Sequence, residues 1–111
     1  MKRLKYNNCK VAINGYTFDS KAEGKRYRDL CLLVRAGGIT DLRVHPKYKM
    51  IPAVVVSGKK HGIRHYTADF EYIENGKTVV EDVKGIITDF ASWKMQQFQW
   101  QYPKADFRIV K

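Results

Sequence analysis

The dipeptide Asn75-Gly76 lies between two runs of residues that favour β-structure, and it constrains the fold of this chain more than any other feature. The run before it covers residues 65–74, and the run after it covers residues 77–84. Both runs contain several β-branched or aromatic residues. Asn-Gly between two such runs is the strongest short-range signal for a two-residue β-hairpin turn. The pattern therefore predicts one hairpin over residues 65–84.

The register of this hairpin predicts that two acidic residues face each other. A two-residue turn pairs Glu74 with Lys77, and counting outward along both strands pairs Asp69 directly with Asp82. That pair falls at a non-hydrogen-bonded position, where side chains approach most closely and like charges repel. A divalent cation such as Mg²⁺, which prefers hard oxygen ligands, turns this repulsion into attraction. Period-two alternation places Lys84 on the same face as Asp82.

The strand around Asp82 has the composition of a central strand. Val79, Val80 and Val83 surround Asp82, and an unpaired carboxylate buried among them is costly. Metal ligation is therefore favoured over a surface ion pair for Asp82. Glu81 is expected to point to the opposite face of the sheet and to have a structural role.

Length and charge limit the class of partner. The chain has 111 residues, which predicts a single domain over residues 1–111 with an N-terminal basic segment and hairpin in residues 1–19. Lysine and arginine total 21 against 11 acidic residues, a formal charge of +10. Such a charge favours a polyanion, and nucleic acid is the first candidate. With no long apolar run and no signal-peptide pattern, we expect a soluble, cytoplasmic protein that does not bind membranes.

The remaining elements follow from turn signals and helix caps. A second Asn-Gly predicts a small leading hairpin, Ser20 begins a helix that Gly37-Gly38 ends, and Thr88 or Asp89 begins another. The elements expected besides the hairpin over residues 65–84 are a hairpin at 10–19, a helix at 21–36, strands at 43–50 and 53–57, a basic loop at 58–62, a helix from 88 or 89 to about 101, and a strand at 106–111. After the leading hairpin a group of strands lies between the two helices and one strand follows the second helix, which predicts an α+β fold, a mixed α/β sandwich with a helix-strand-strand-strand-helix-strand core.

Glu23 in the first helix has two possible roles. Ser20 and Glu23 have the spacing of a capping box, in which the glutamate bonds back to the cap residue. Glu23 is also in line with Tyr27, Leu30 and Val34, on the helix face expected to pack against the sheet, where a carboxylate needs a partner. Both roles are compatible.

The second helix and the basic loop leave alternatives open. A helical wheel gives the second helix one broad apolar face with Lys94 and Gln97 in its middle. These two side chains either extend toward a phosphate or reach solvent. The apolar residues of that face are Phe90, Trp93, Met95, Phe98, Trp100 and Tyr102. Lys59, Lys60 and His61 form either a solvated hairpin tip or a phosphate contact.

The three histidines show no metal-ligand spacing. His45, His61 and His65 are expected at the surface or facing phosphate.

The order of elements, with Asp69, Asp82-Val83-Lys84 and Glu23, resembles the PD-(D/E)XK nuclease superfamily. More narrowly, residues 18–23, 66–70 and 80–85 look like those of small phage-borne nucleases in that superfamily, close to junction resolvases. Two positions depart from the common pattern. Ala68 stands where the superfamily's name has proline, and Asp82 stands where glutamate is commoner; both are frequent variations.

The resemblance implies a restriction-endonuclease-like core and a metal-dependent DNA endonuclease. Its catalytic residues would be Glu23, Asp69, Asp82 and Lys84, with Mg²⁺, or Mn²⁺ in its place, held by the three carboxylates and the Val83 carbonyl. Lys84 would assist the attacking water. The substrate would be branched or duplex DNA, cut with structure specificity or weak sequence specificity, and a homodimer would place two sites on two strands. A phage-encoded protein of this kind would act in the host cytoplasm. The residues considered as DNA contacts are Lys21, Arg26, Lys59, Lys60, Lys94 and Gln97.

Two rival functions are compatible with the same residues. One is a DNA-binding module that keeps the nuclease fold without turnover, and the other is a nuclease that acts on RNA. The aromatic signature of the RRM fold is absent from the sequence.

Overall fold

The computed structural model describes residues 11–111, so the predicted basic segment at residues 1–10 lies outside the described part. The elements, in chain order, are β1 (Val11–Ile13), β2 (Tyr16–Phe18), α1 (Lys21–Arg35), β3 (Thr40–Val44), β4 (Lys47–Ile51), β5 (Val54–Val56), β6 (Lys59–His61), β7 (Arg64–Thr67), β8 (Phe70–Glu74), β9 (Lys77–Val83), α2 (Asp89–Gln101) and β10 (Asp106–Val110).

A four-stranded mixed sheet forms the centre of the fold. Its strand order is β10-β9-β8-β3, with β9 and β10 parallel and the other neighbours antiparallel. Helix α2 connects β9 to β10, since parallel neighbours need a crossover connection. The mixed α+β class predicted from the sequence is therefore confirmed.

Two hydrophobic cores lie on opposite faces of this sheet. Val79 joins the core under α1, and its neighbour Val80 joins the core under α2, because successive side chains of a strand point to opposite faces. Strand β9 is thus buried on both sides. The α1 core contains Phe18, Tyr27, Leu30, Ile39, Phe70, Tyr72 and Val79. The α2 core contains Met50, Tyr66, Ala68, Val80, Met95 and Phe98.

Both Asn-Gly hairpins are confirmed. Asn14 and Gly15 have φ of 52° and 83°, and Asn75 and Gly76 have φ of 52° and 77°. Two consecutive positive φ values are those of the type I′ turn that Asn-Gly favours.

The predicted register of the second hairpin holds to its last step and then fails. The pairs run from Glu74 with Lys77 to Phe70 with Glu81. Strand β8 begins at Phe70, and the N–H of Asp69 donates to the carbonyl of Glu81 at 3.1 Å. The direct ladder pairing of Asp69 with Asp82 is therefore wrong, because the backbone departs from the regular ladder at Asp69.

The helix ends agree with the predicted caps. Ser20 caps α1 by accepting from the N–H of Glu23 at 3.2 Å, and Thr88 caps α2 by accepting from the N–H of Ala91 at 3.1 Å. The buried face of α1 contains Glu23, Tyr27 and Leu30 but ends there, since Val34 is exposed.

Residues 46–68 form an excursion: the chain leaves the central sheet after β3 and returns to it before β8. The sequence does not predict this excursion. The strand expected at 43–50 breaks at His45-Pro46, and the hairpin arm expected at 65–74 breaks at Ala68-Asp69. His45 has a φ of 55°, and proline has no N–H for a ladder, so β3 cannot continue. Two hydrogen bonds close the base of this excursion: His45 N–H to the Asp69 carbonyl at 2.9 Å, and Ala68 N–H to the Pro46 carbonyl at 3.0 Å.

The predicted basic loop at 58–62 is wrong. Lys59–His61 forms β6, which pairs with β5 in a two-stranded ribbon around a turn at Ser57 and Gly58. The φ values of these turn residues are 48° and 79°, which allow a tight turn where a longer loop was expected.

The single broad apolar face predicted for α2 is also wrong. Met95 and Phe98 are buried against the sheet, whereas Phe90, Trp93 and Trp100 are exposed. The exposed aromatics lie on the side of the helix that faces away from the core.

No helix among residues 11–111 is long and apolar enough to cross a membrane.

A buried ion pair fixes α1 to the sheet. Glu81 is fully buried and accepts from Arg26 Nε at 2.8 Å and Arg26 Nη2 at 2.6 Å. The hydroxyl of Tyr72 donates to the same carboxylate at 2.5 Å. The expected structural role of Glu81 is thus supported.

We expect Arg26→Gln to lower the free energy of unfolding by about 3 kcal/mol, because it leaves a buried carboxylate without its cation. Urea unfolding measures the change. The control is Lys25→Gln, which removes an exposed ion pair with Asp29 on the same helix and should cost less than about 0.5 kcal/mol. Equal effects of the two substitutions would contradict a stabilising role for the buried pair.

Candidate metal centre

Four predicted site residues lie close together at one end of the two central strands, where β8 begins and β9 ends. Glu23 comes from the first turn of α1, Asp69 directly precedes β8, Asp82 lies in β9, and Lys84 directly follows β9. Glu23 is 8% exposed and Asp82 is 2% exposed. Carboxylates are rarely buried to this degree without a partner.

Hydrogen bonds hold the two aspartates in place. Asp69 Oδ2 accepts from the N–H of Val83 at 2.6 Å, and the hydroxyl of Tyr66 donates to Asp82 Oδ2. Burial, then this bond to Asp82, raises the pKa of Tyr66, so the phenol stays protonated as a donor. Val83 therefore contributes its amide to the site; metal ligation by its carbonyl stays a prediction.

His45 lies beside these carboxylates, a position that its spacing along the chain does not predict. Ligand atoms of Glu23, His45 and Asp69 all lie within 4.8 Å of one another. The Nε2 atom of His45 is 3.9 Å from Glu23 Oε1. Spacing along the chain gave no sign of this, because the three residues come from separate elements. The signal that was available is His45-Pro46, a sequence that tends to interrupt a strand.

Burial raises the pKa of all three carboxyl groups. Burial raises the pKa of Asp69 to about 6, and Glu23 raises it as well, while the bond from the Val83 N–H acts in the opposite direction. Burial also raises the pKa of Asp82 to about 6, with Asp69 contributing and Tyr66 opposing. The pKa of Glu23 is raised chiefly by burial. The three carboxyl groups thus resist being charged together.

The donor set fits a hard divalent cation. Among residues 11–111, no lysine or arginine forms an ion pair with Glu23, Asp69 or Asp82, although Lys84 is close enough to lower the pKa of Glu23 and of Asp82. Carboxylate oxygens suit Mg²⁺ and Mn²⁺, and His45 adds one nitrogen donor.

The residues considered as DNA contacts lie in different places. Lys94 is close to the centre, with its Nζ 5.9 Å from the ring centroid of Tyr66. Gln97 instead bonds within the fold, to Gln101 at 2.9 Å. Arg26 donates to Glu81 through Nε and Nη2, and its role as a DNA contact stays a prediction. Lys21 is exposed near the start of α1, and Lys59 and Lys60 lie on the outer ribbon.

We expect the metal-free protein to lose stability as pH rises from about 4 to above 6. Between the ordinary pKa of 3.8 and the folded value of about 6, the folded state holds protons that the unfolded state has released. Raising the pH therefore favours unfolding, and a cation should reverse this at pH 7.5. At a hundred times its dissociation constant, bound metal adds about 2.7 kcal/mol.

Thermal unfolding with EDTA and with Mn²⁺ or Mg²⁺ at pH 4 and pH 7.5 measures both effects. The matched variant Asp82→Asn should be more stable than wild type without metal at pH 7.5 and should gain little from the cation. A melting temperature independent of the cation at pH 7.5 would rule out a metal centre here.

Comparison with known proteins identifies one family. No curated protein and no solved structure matches the chain. A family model described as "Protein of unknown function (DUF1064)" matches residues 3–111. Because this match spans nearly the entire sequence, the chain belongs to the DUF1064 family.

Proposed function

We propose that this protein is a metal-dependent DNA endonuclease of the PD-(D/E)XK type. The observation that carries the proposal is the group of carboxylates of Glu23, Asp69 and Asp82, which meet at one sheet edge beside Lys84 without an arginine or lysine ion pair among residues 11–111. If these carboxylates had only a structural role, we would expect a cationic side chain to neutralise them, as Arg26 neutralises Glu81.

The order of elements supports the same proposal. When the leading hairpin and the excursion β4–β7 are set aside, the chain runs α1, β3, β8, β9, α2, β10. This order agrees with the helix-strand-strand-strand-helix-strand order that the resemblance implies, and the four strands form one mixed sheet, which supports a restriction-endonuclease-like core. The acidic residues come from the elements in which that superfamily carries them.

A divalent cation would be held by Glu23, Asp69 and Asp82, with His45 adjacent to it. When bound, such an ion supplies Lewis-acid polarisation of the phosphoryl group and a more acidic water. The hydroxyl of Tyr66 donates to Oδ2 of Asp82 and holds that carboxylate in place. Tyr66 thus orients the ligand.

Lys84 has the position of an electrostatic catalyst. It follows Asp82 by two residues, and its charge acts on both Asp82 and Glu23. Its backbone N–H is bonded to the Val110 carbonyl at 2.9 Å, which anchors this end of β9 to β10. An ammonium held here can orient the attacking water and stabilise the negative charge that develops on the phosphate.

The net charge of +10 supports a polyanionic substrate. DNA is proposed on the basis of the resemblance, with cleavage that depends on structure or weakly on sequence. Half of the described elements belong to the central sheet and its two helices, and the two-stranded pairs and the outer face of α2 offer surfaces for further contacts.

Cleavage assays test this proposal directly. Wild type and the variants Asp82→Ala and Lys84→Ala are incubated with supercoiled, linear, single-stranded and four-way-junction DNA, and with RNA, in Mg²⁺ or Mn²⁺. We expect metal-dependent cutting of DNA by wild type and a loss of at least about 10²-fold in both variants, which remove a metal ligand and an electrostatic catalyst.

The exposed Lys104→Ala serves as the matched control for lysine removal and should retain activity. Binding to all of these DNAs without cutting, unchanged in both variants, would leave a non-catalytic DNA-binding module. Cutting of RNA alone would assign the activity to the other polymer.

Tyr66→Phe should raise the metal concentration needed for half-maximal activity by about 10- to 100-fold, because groups that orient a metal ligand typically have effects of this size. The readout is a titration of cleavage, or of the melting temperature, with Mn²⁺. Tyr72→Phe is a closely matched control, since it removes a buried hydroxyl that donates to Glu81 instead. It should leave the metal titration unchanged, and equal shifts in both variants would contradict a specific role for Tyr66.

A further inference from the structure

A groove of about 720 Å³ opens next to the metal centre, between α2 and the β4–β7 pair. Phe90, Trp93 and Lys94 of α2 form one wall, and Arg64 and His65 of β7 are on the other side. Tyr66, whose hydroxyl donates to Asp82, also lines it. One residue therefore belongs both to the groove and to the support of the metal centre.

The α2 wall exposes aromatic rings that the core does not use. Phe90 is 61% exposed, Trp93 is 67% exposed and Trp100 is 79% exposed. Trp100 lies two helical turns beyond Trp93 on the same side of α2 and roughly 10 Å along its axis. The rings thus form a stripe that starts in the groove and extends past it. Large aromatic side chains exposed together in this way usually mark a binding surface.

Cationic groups accompany these rings. Lys94 Nζ lies 4.9 Å from the ring centroid of Phe90, and Arg64 is exposed on the opposite side. A second copy of this chain would bring a further charge of +10 against these cations, which disfavours self-association through this surface. A polyanion with flat apolar groups satisfies both the rings and the cations.

An unpaired nucleic-acid strand has this chemistry, whereas a duplex does not. Aromatic side chains can stack only on bases that are not already stacked and paired, and lysine and arginine beside them bind the backbone. In an intact duplex the bases are enclosed and only phosphates and groove edges are accessible. The combination of rings and cations therefore favours unpaired nucleotides.

We propose that this groove binds a single-stranded segment of DNA next to the scissile phosphate, with bases stacked on Trp93 and Phe90 and the backbone bound by Lys94 and Arg64. The inference rests on the proposed nuclease function in placing the segment beside a cleavage site. It assigns branched DNA with unpaired nucleotides at the junction, such as a fork or flap, as the preferred substrate class.

Binding without metal tests the groove independently of catalysis. Fluorescence anisotropy in EDTA compares a labelled single-stranded oligonucleotide, the same sequence as a blunt duplex, and a fork. We expect Trp93→Ala to weaken binding to the single strand and the fork by roughly 5- to 150-fold, which corresponds to ~1–3 kcal/mol for one stacked base. Binding to the duplex should be unchanged.

The control is Val55→Ala, which shortens an exposed apolar side chain on the outer ribbon, away from the groove. It should leave all three affinities unchanged. Lys94→Gln, compared with Lys104→Gln, tests the cation in the same assay and should weaken binding to the single strand and reduce its salt dependence.

Other outcomes would overturn the inference. Equal losses on single strand and duplex, or no loss with Trp93→Ala, would exclude stacking in the groove. A fall in molar mass from dimer to monomer in light scattering of Trp93→Ala would assign the surface to self-association.

Cleavage in Mg²⁺ separates the two proposals. If the wild type binds forks through Trp93 but cuts no DNA, the proposal of single-strand binding in the groove stands and the proposed nuclease activity is refuted. If the wild type cuts forks and duplexes equally and Trp93→Ala is unaffected, the proposed nuclease activity stands and single-strand binding in the groove is refuted.

Discussion

Strand β9 buries two adjacent carboxylates, and the rest of the structure depends on how each is neutralised. Glu81 points toward α1 and receives the guanidinium of Arg26 together with the hydroxyl of Tyr72. Asp82 points to the opposite face, where the hydroxyl of Tyr66 donates to it and no lysine or arginine of residues 11–111 forms an ion pair with it. An uncompensated buried charge is costly. Glu81 is compensated by a cation of the chain itself, whereas Asp82 would be compensated by the proposed divalent cation.

The acidic cluster also depends on the packing of elements that are distant in sequence. The ion pair between Arg26 and Glu81 fixes α1 against the sheet, and this places Glu23, three residues earlier in the same helix, at the sheet edge. The departure of the backbone from the ladder at Asp69 turns that side chain toward the Val83 N–H. His45 directly follows β3, and its φ of 55° lies in the left-handed region, a conformation that non-glycine residues adopt at a cost in free energy.

Local signals predicted much of this fold, and tertiary contacts account for what they missed. Asn-Gly turns, the Ser20 and Thr88 caps and the order of the central elements depend on neighbouring residues, so they were accessible from sequence. Strands near β4 and β5 were also predicted, but strand β6 and the separation of β4–β7 from the central sheet were not, because short strands with mixed polar and apolar residues give weak periodicity. His45 was missed since its partners lie in α1 and before β8. The sequence predicts one apolar face that includes the exposed rings of α2, because hydrophobicity alone cannot distinguish a packed aromatic residue from one on a binding surface.

Two hydrogen bonds close the base of the excursion, and they separate two parts of the molecule whose amino-acid sequences can diverge at different rates in evolution. These backbone bonds run from the His45 N–H to the Asp69 carbonyl and from the Ala68 N–H to the Pro46 carbonyl, where the chain leaves the central sheet. The near end of the excursion must keep Tyr66, which supports Asp82. The far end, the β5–β6 ribbon, pairs only with itself among the sheets. Insertions, deletions or exchanges at this tip should therefore be accommodated without displacing the acidic cluster, which makes the ribbon the natural place for relatives to diversify.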